Sequence, residues 1–147
     1  MLRPGDVCDP VWVLSDAVVL ATARLSGTAD APARLPELIA NADAVFHLIP
    51  SADEIEGALG RLIGARLVTV GELGIFVEPL GRELVARARG GAEGDPMVRV
   101  RNLLALLERL PSDPIPWFLD RQVYEAVTLE YRHRIWKTYR AGRRRRL

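Results

Sequence analysis

The residues of this chain whose types and spacing bear most directly on chemistry lie at its end. The stretch "RHRIWKTYRAGRRRR" runs from Tyr131's neighbour Arg132 to Arg146 and contains no acid. Its cations are Arg132, Arg134, Lys137, Arg140, Arg143, Arg144, Arg145 and Arg146, interleaved with Trp136 and Tyr139. A guanidinium is a planar fork that matches phosphate oxygens, and aromatic rings set between cations stack on bases or sugar faces. Phosphate binding is the chemistry this pattern implies. The plainer readings are a solvated basic terminus and docking on the acidic remainder of the chain. The chain holds 19 arginines and one lysine, so part of the richness in arginine is a general bias.

Other residue sets point to catalysis only in outline. Glu130 and His133, three apart on a helical pattern, resemble half of a di-iron carboxylate site. The second half is missing, because the other histidine, His47, has Ala44 three residues before it. Cys8 is a lone cysteine, which excludes an internal disulfide and a cysteine-based zinc site. It reads as a small apolar filler, and no local signature pairs it with His47. No glycine phrase of the Walker or Rossmann kind is present. The expectation is a protein that is not an enzyme and needs no cofactor.

The net charge of +1 conceals two opposed parts. Residues 132–147 carry +8, and the other 131 residues carry 12 basic and 19 acidic side chains, a net −7. With 147 residues, 49% of them hydrophobic, the chain can bury a core. Asp6, Asp9 and Asp16 spoil a secretion signal, and the apolar runs fall short of the ~20 residues needed to span a bilayer. A cytoplasmic protein with no membrane partner is expected.

The elements that must position the basic end follow from periodicity. Ser15 suits the N-cap of a buried helix that runs through Asp16 and "AVVLATARL" to near Leu25. "LPELIANADAVF" gives a second, with Leu35, Leu38, Ile39, Ala42, Val45 and Phe46 at helical spacing. Ser51 and Glu54 form a capping box for a third, which Gly64 can end. "RLVTV" and "IFVEP" are strands joined by the turn "GELG", and "LGRELVARARG" is a fourth helix closing at Gly90 and Gly91. "GAEGD" is a hinge by composition. A fifth helix runs from about Pro96 to Leu110, "PSDPIP" breaks it, and a sixth extends from about Trp117 towards Arg140. On that last helix Leu119, Val123, Val127, Tyr131, Ile135 and Tyr139 recur every four residues, too apolar for a solvated helix.

Three helices, a hairpin and a helix form the order of a winged helix-turn-helix domain. "ALGRLIGARLVTVGELGIFVEPLGRELVARA", residues 58–88, resembles the third helix, wing and following helix of bacterial regulators of the MarR and PadR type, and residues 15–57 match in order and length. The resemblance implies a mainly α fold with a small β-hairpin wing over residues 1–91, followed by a C-terminal helical extension with a basic tail over 92–147. It also implies DNA binding, transcription regulation, and dimerisation through helices outside the wing.

The residues that would read DNA depart from the regulator pattern. With Ile55 and Leu62 facing the core, 100° per residue places Asp53, Gly57, Gly60 and Gly64 on the outer face of the third helix. Glu54 and Glu56 flank it, and Arg61 is its one cation. Glycine offers nothing to a base edge, and carboxylates repel phosphates. The readings of this face are a neutral surface open to solvent, a smooth surface for close approach by another helix or chain, or base recognition. The wing tip presents Glu72, with Arg66 at the strand's start the only nearby cation. The expected nucleic-acid contacts are therefore Arg61, Arg66 and the eight cations of the tail. The alternative is an adaptor that binds a protein partner, or a second copy, through the glycine face or the C-terminal helices.

Overall fold

The computed structural model describes residues 12–28, 30–89 and 94–146, the last four of these as helix backbone only. The elements are α1 (Leu14–Ser26), α2 (Leu35–Phe46), α3 (Ala52–Gly64), β1 (Val68–Gly71), β2 (Gly74–Val77), α4 (Pro79–Ala88), α5 (Pro96–Leu107) and α6 (Arg121–Arg146). The mainly helical fold with one small hairpin is the class expected from the sequence.

The helix α1 is apolar on nearly every side because it lies in the middle. Ala17, Val18, Val19 and Leu20 are fully buried, and α2, α3, α4 and α5 all pack on it. Its entry differs from expectation. Ser15 is buried in the first turn rather than capping it, and the Asp16 carboxylate reaches back to accept the Val13 amide at 2.9 Å. The start of α3 follows the capping box closely. The Glu54 amide donates to Ser51 Oγ at 3.1 Å, and the Ser51 amide donates to Glu54 Oε1 at 3.0 Å.

The hairpin pairs Val68 with Val77, Thr69 with Phe76, Val70 with Ile75 and Gly71 with Gly74, leaving Glu72 and Leu73 at its tip. Gly74 has φ +136°, a backbone conformation that side chains rarely adopt. The hairpin is tied to the loop before α2, where Ala33 and Ile75 exchange backbone hydrogen bonds of 2.7 and 2.8 Å. Beyond it, Val100, Leu103 and Leu107 of α5 and Tyr131 of α6 join the same core as α1. The described parts of the segments 1–91 and 92–147 thus share one hydrophobic core. Gly90 and Gly91, the expected close of α4, and Cys8 lie outside the described residues.

Residues 111–120 form neither helix nor strand, with Pro111, Pro114 and Pro116 withholding three backbone donors. For that reason α6 starts at Arg121 and not at Trp117. The Asp120 carboxylate caps it, accepting from the amides of Gln122 at 2.9 Å and Val123 at 3.3 Å. Only the first part of α6 is anchored, against α2. Of the stripe with four-residue spacing, Tyr131 is buried, Leu119 and Val127 are partly covered, and Val123, Ile135 and Tyr139 are exposed. A repeat of four advances 400° and so drifts 40° per step. The stripe therefore turns away from α2 along a straight helix.

Candidate nucleic-acid interface

The outer face of α3 is covered at Gly60 and Gly64 by the chain itself. The segment between α5 and α6 runs antiparallel across it as a strap. The Ile115 amide donates to the Gly60 carbonyl at 3.0 Å, and the Leu119 amide donates to Glu56 Oε2 at 2.8 Å. At the far end Arg121 pairs with Asp53 at 2.7 Å and Glu56 at 3.3 Å. The glycines make this approach possible. A Cβ on Gly60 would lie 2.9 Å from the Ile115 carbonyl oxygen, and one on Gly64 would lie 1.8 Å from that of Asp113. The reading of a solvent-open glycine face is thus overturned, and Gly60 is buried. Close approach by another chain segment is the arrangement found, and the segment is internal.

Arg61 is not at the surface in the sense expected of a DNA contact. It swings back to Asp16, whose side chain is fully buried, through Nε–Oδ2 and Nη2–Oδ1 hydrogen bonds of 2.8 Å each. The guanidinium side chain itself is 20% exposed. Such a bidentate pair uses the fork that a phosphate would need. Arg61 therefore leaves the set of candidate contacts, and an acid 45 residues away in an apolar helix is the reason. Arg66 is exposed in the turn after α3, in a left-handed conformation with φ 61°. Glu72 and Leu73 are exposed at the hairpin tip, so the tip offers a carboxylate and an apolar side chain rather than a cation.

The distal half of α6 is the opposite case. From Arg132 to Gly142 every side chain is exposed, and among the described residues no ion pair found involves Arg132, Arg134, Lys137 or Arg140. Docking of these four on the acidic remainder of the chain is accordingly not the arrangement found. Arg143, Arg144, Arg145 and Arg146 continue the helix, with side chains outside the described residues. Trp136 and Tyr139 stack on each other with centroids 5.9 Å apart and planes 19° apart. The Arg140 guanidinium stands 4.9 Å from the Trp136 ring centroid, within cation–π range.

The anchor of this helix is built from two phenols. Tyr124 donates its hydroxyl to the Pro50 carbonyl at 2.7 Å, and Tyr131 donates to Asp43 Oδ2 at 2.5 Å. Burial pushes the Tyr131 phenol up to about 12, helped by the hydrogen bond to Asp43 and by that carboxylate's charge, against the opposing charge of Arg134. Burial also raises Tyr124. Between the end of α2 and distal α6 lies an open groove of about 530 Å³, lined by Asp43, Ile49, Tyr131, Arg132, Trp136 and neighbours on the same face.

Glu130 and His133 are both exposed on α6, and His47 is exposed at the end of α2. Among the described residues no group of three or more His, Cys, Asp or Glu side chains could hold a metal ion. No helix there is long and apolar enough to cross a membrane. Compared with family models, curated proteins and solved structures, the chain matches none.

The signal for the strap was present in the sequence in two halves. Three glycines on one helix face mark a place of close approach, since each interior glycine costs a helix about 1 kcal/mol. A proline-rich run marks an extended segment. Nothing local connects the two across some fifty residues.

Proposed function

We propose that this is a cytoplasmic nucleic-acid-binding protein of winged-helix build that grips phosphates through distal α6, without base reading by α3. The observation that supports this reading most is the state of the cations on α6. Arg132, Arg134, Lys137 and Arg140 project from an exposed helix, bonded to no carboxylate in the ion pairs found, beside two exposed aromatic rings. Contacts of this kind go to the sugar–phosphate backbone and carry little sequence information. The resemblance to MarR and PadR regulators belongs to the same proposal, with the difference that here α3 is not the reading element.

The test is titration of DNA with the intact chain and with a chain ending at Tyr131. The shortened chain carries a net −7 and should bind neither duplex nor single strand. Eight engaged cations would give log affinity against log salt a slope of about −7, at ~0.9 per phosphate. A helix engages phosphates on one side at a time, so a slope of about −3 to −5 is expected. Equal binding by both forms would move the site to the body and overturn the proposal.

A second reading has its own observation in its favour. Because Arg61 is turned inward to Asp16, α3 presents no free cation between α6 and Arg66. An isolated basic helix with exposed Ile135 and Leu129 also suits an adaptor that binds an acidic protein, or a second copy, through its C-terminal helices. Absence of DNA binding at low salt, together with a concentration-dependent dimer in sedimentation, would favour it.

A further inference from the structure

The phosphate reading leaves one feature of α6 unused. At 100° per residue Tyr131, Ile135, Tyr139 and Trp136 fall within about 140° of the helix circumference, and Arg132 falls inside the same sector. Arg134 and Lys137 lie on the other side, with Arg140 at the margin beside Trp136. Ile135, Trp136 and Tyr139 are 50%, 51% and 58% exposed. A duplex laid along the helix would satisfy the cations alone. Its base faces are covered by their stacking neighbours, so the aromatic sector would remain against water.

We propose that this sector is a binding site for single-stranded nucleic acid, with an unpaired base added to the Trp136–Tyr139 stack and the flanking phosphates held by Arg132 and Arg140. The two rings already lie nearly parallel, with Arg140 over the indole, and each remains about half open to one more planar group. The groove beside them has a polarity that orients a strand. Asp43 lies on its α2 side, engaged by the Tyr131 hydroxyl, and Arg132 lies on its α6 side. The carboxylate repels phosphates, so the sugar–phosphate backbone follows the cations of α6 and the bases turn into the groove. Stacking of this kind is tolerant of sequence, because every base has a π face.

This inference rests on the reading of α6 as the phosphate-binding element, and it fails separately from it. The experiment uses the full chain with an oligothymidylate and with a duplex of equal length, followed by anisotropy and by tryptophan emission. Trp12 is buried and Trp117 partly so, which makes Trp136 the reporter most open to a ligand. The oligothymidylate should bind tighter than the duplex and quench emission. Trp136→Ala should weaken oligothymidylate binding about tenfold and leave duplex binding nearly unchanged, and Trp136→Phe should restore most of the loss. Because Trp136 stands at the surface, circular dichroism should report an unchanged fold for both variants. If Trp136→Ala leaves oligothymidylate affinity unaltered while both DNAs still bind, the stacking site is wrong and the phosphate reading survives. If neither DNA binds the intact chain at low salt, both are wrong. Uptake of Trp136 by phosphatidylglycerol vesicles without any oligothymidylate binding would assign the face to a lipid surface instead. A dimer that Trp136→Ala dissolves, with oligothymidylate affinity unchanged, would assign it to a second copy.

Discussion

The outer face of α3 and the distal half of α6 are both helix surfaces that carry arginine, yet they stand in opposite states. On α3 the glycines accept the backbone of the strap, Asp53 and Glu56 hold Arg121, and Arg61 is committed to buried Asp16. On α6 beyond Tyr131, the described side chains of Arg132, Arg134, Lys137 and Arg140 are exposed and in none of the ion pairs found, and Trp136 and Tyr139 stack on each other. The lesson is about availability. A cation contributes to binding only when no nearer acid has claimed it, and the claim on Arg61 comes from the core rather than from the surface.

Single substitutions put that contrast to the test. The largest effect is expected at Arg61→Met. It leaves the Asp16 carboxylate, fully buried, without its partner, a loss of about 3–5 kcal/mol. Urea unfolding should record this, and adding Asp16→Leu should recover much of it, since an apolar pair replaces the ion pair. Affinity for DNA should stay the same. Normal stability combined with weakened DNA binding would place Arg61 at an interface and erase the distinction drawn above.

Next comes Gly64→Ala. On an exposed helix this change adds stability of about 1 kcal/mol. Here the new methyl would sit 1.8 Å from the Asp113 carbonyl oxygen, so the strap must shift, at a cost of about 1–3 kcal/mol. The melting temperature should fall. Gly60→Ala should act in the same direction and more weakly, its nearest strap atom being 2.9 Å away. A rise in melting temperature for either variant would mean that the strap does not hold α3.

The smallest effect concerns pH at the anchor of α6. The folded Tyr131 phenol titrates at about 12, above the ordinary ~10 of a free tyrosine. A raised folded value means that the native state keeps the proton longer than the unfolded chain does. The stabilisation is complete below pH ~10 and is lost as pH rises through about 12. Tyr131→Phe should remove the latest phase of the phenolate absorbance titration and the alkaline loss of stability that goes with it. At neutral pH the same variant should cost about 1 kcal/mol for the missing hydrogen bond. An unchanged titration curve would show that Tyr131 is free, and that the anchored and free parts of α6 are misplaced.

What could be read from the sequence was local. Ser51 and Glu54 fixed the start of α3 because both halves of a capping box lie within four residues, and "LPELIANADAVF" coincides with α2 because its period and its proline agree. The hairpin was legible from two short apolar runs around a glycine turn. The misreadings of α3 and Arg61 involve partners distant in the chain. Helical spacing puts Gly57, Gly60 and Gly64 on one face, but it does not say that residues 113–115 lie on Gly60 and Gly64 while Gly57 faces Arg61. Arg61 carried no local sign of Asp16, although an aspartate within "LSDAVVLATA" already required a buried partner. For α6, the apolar start at Trp117 outweighed Asp120, a better cap, and the four-residue stripe hid its own drift.

Length sets one further property of α6. Tyr131 is the last buried residue among its described side chains, and fifteen residues of helix follow to Arg146. At 1.5 Å per residue that is a rod of about 22 Å. A polynucleotide advancing ~3.4 Å per step passes some six or seven nucleotides along such a rod. Stoichiometry on a long strand should therefore saturate near one chain per six or seven nucleotides, an occluded length dictated by the reach of the helix beyond its last anchor and independent of base composition.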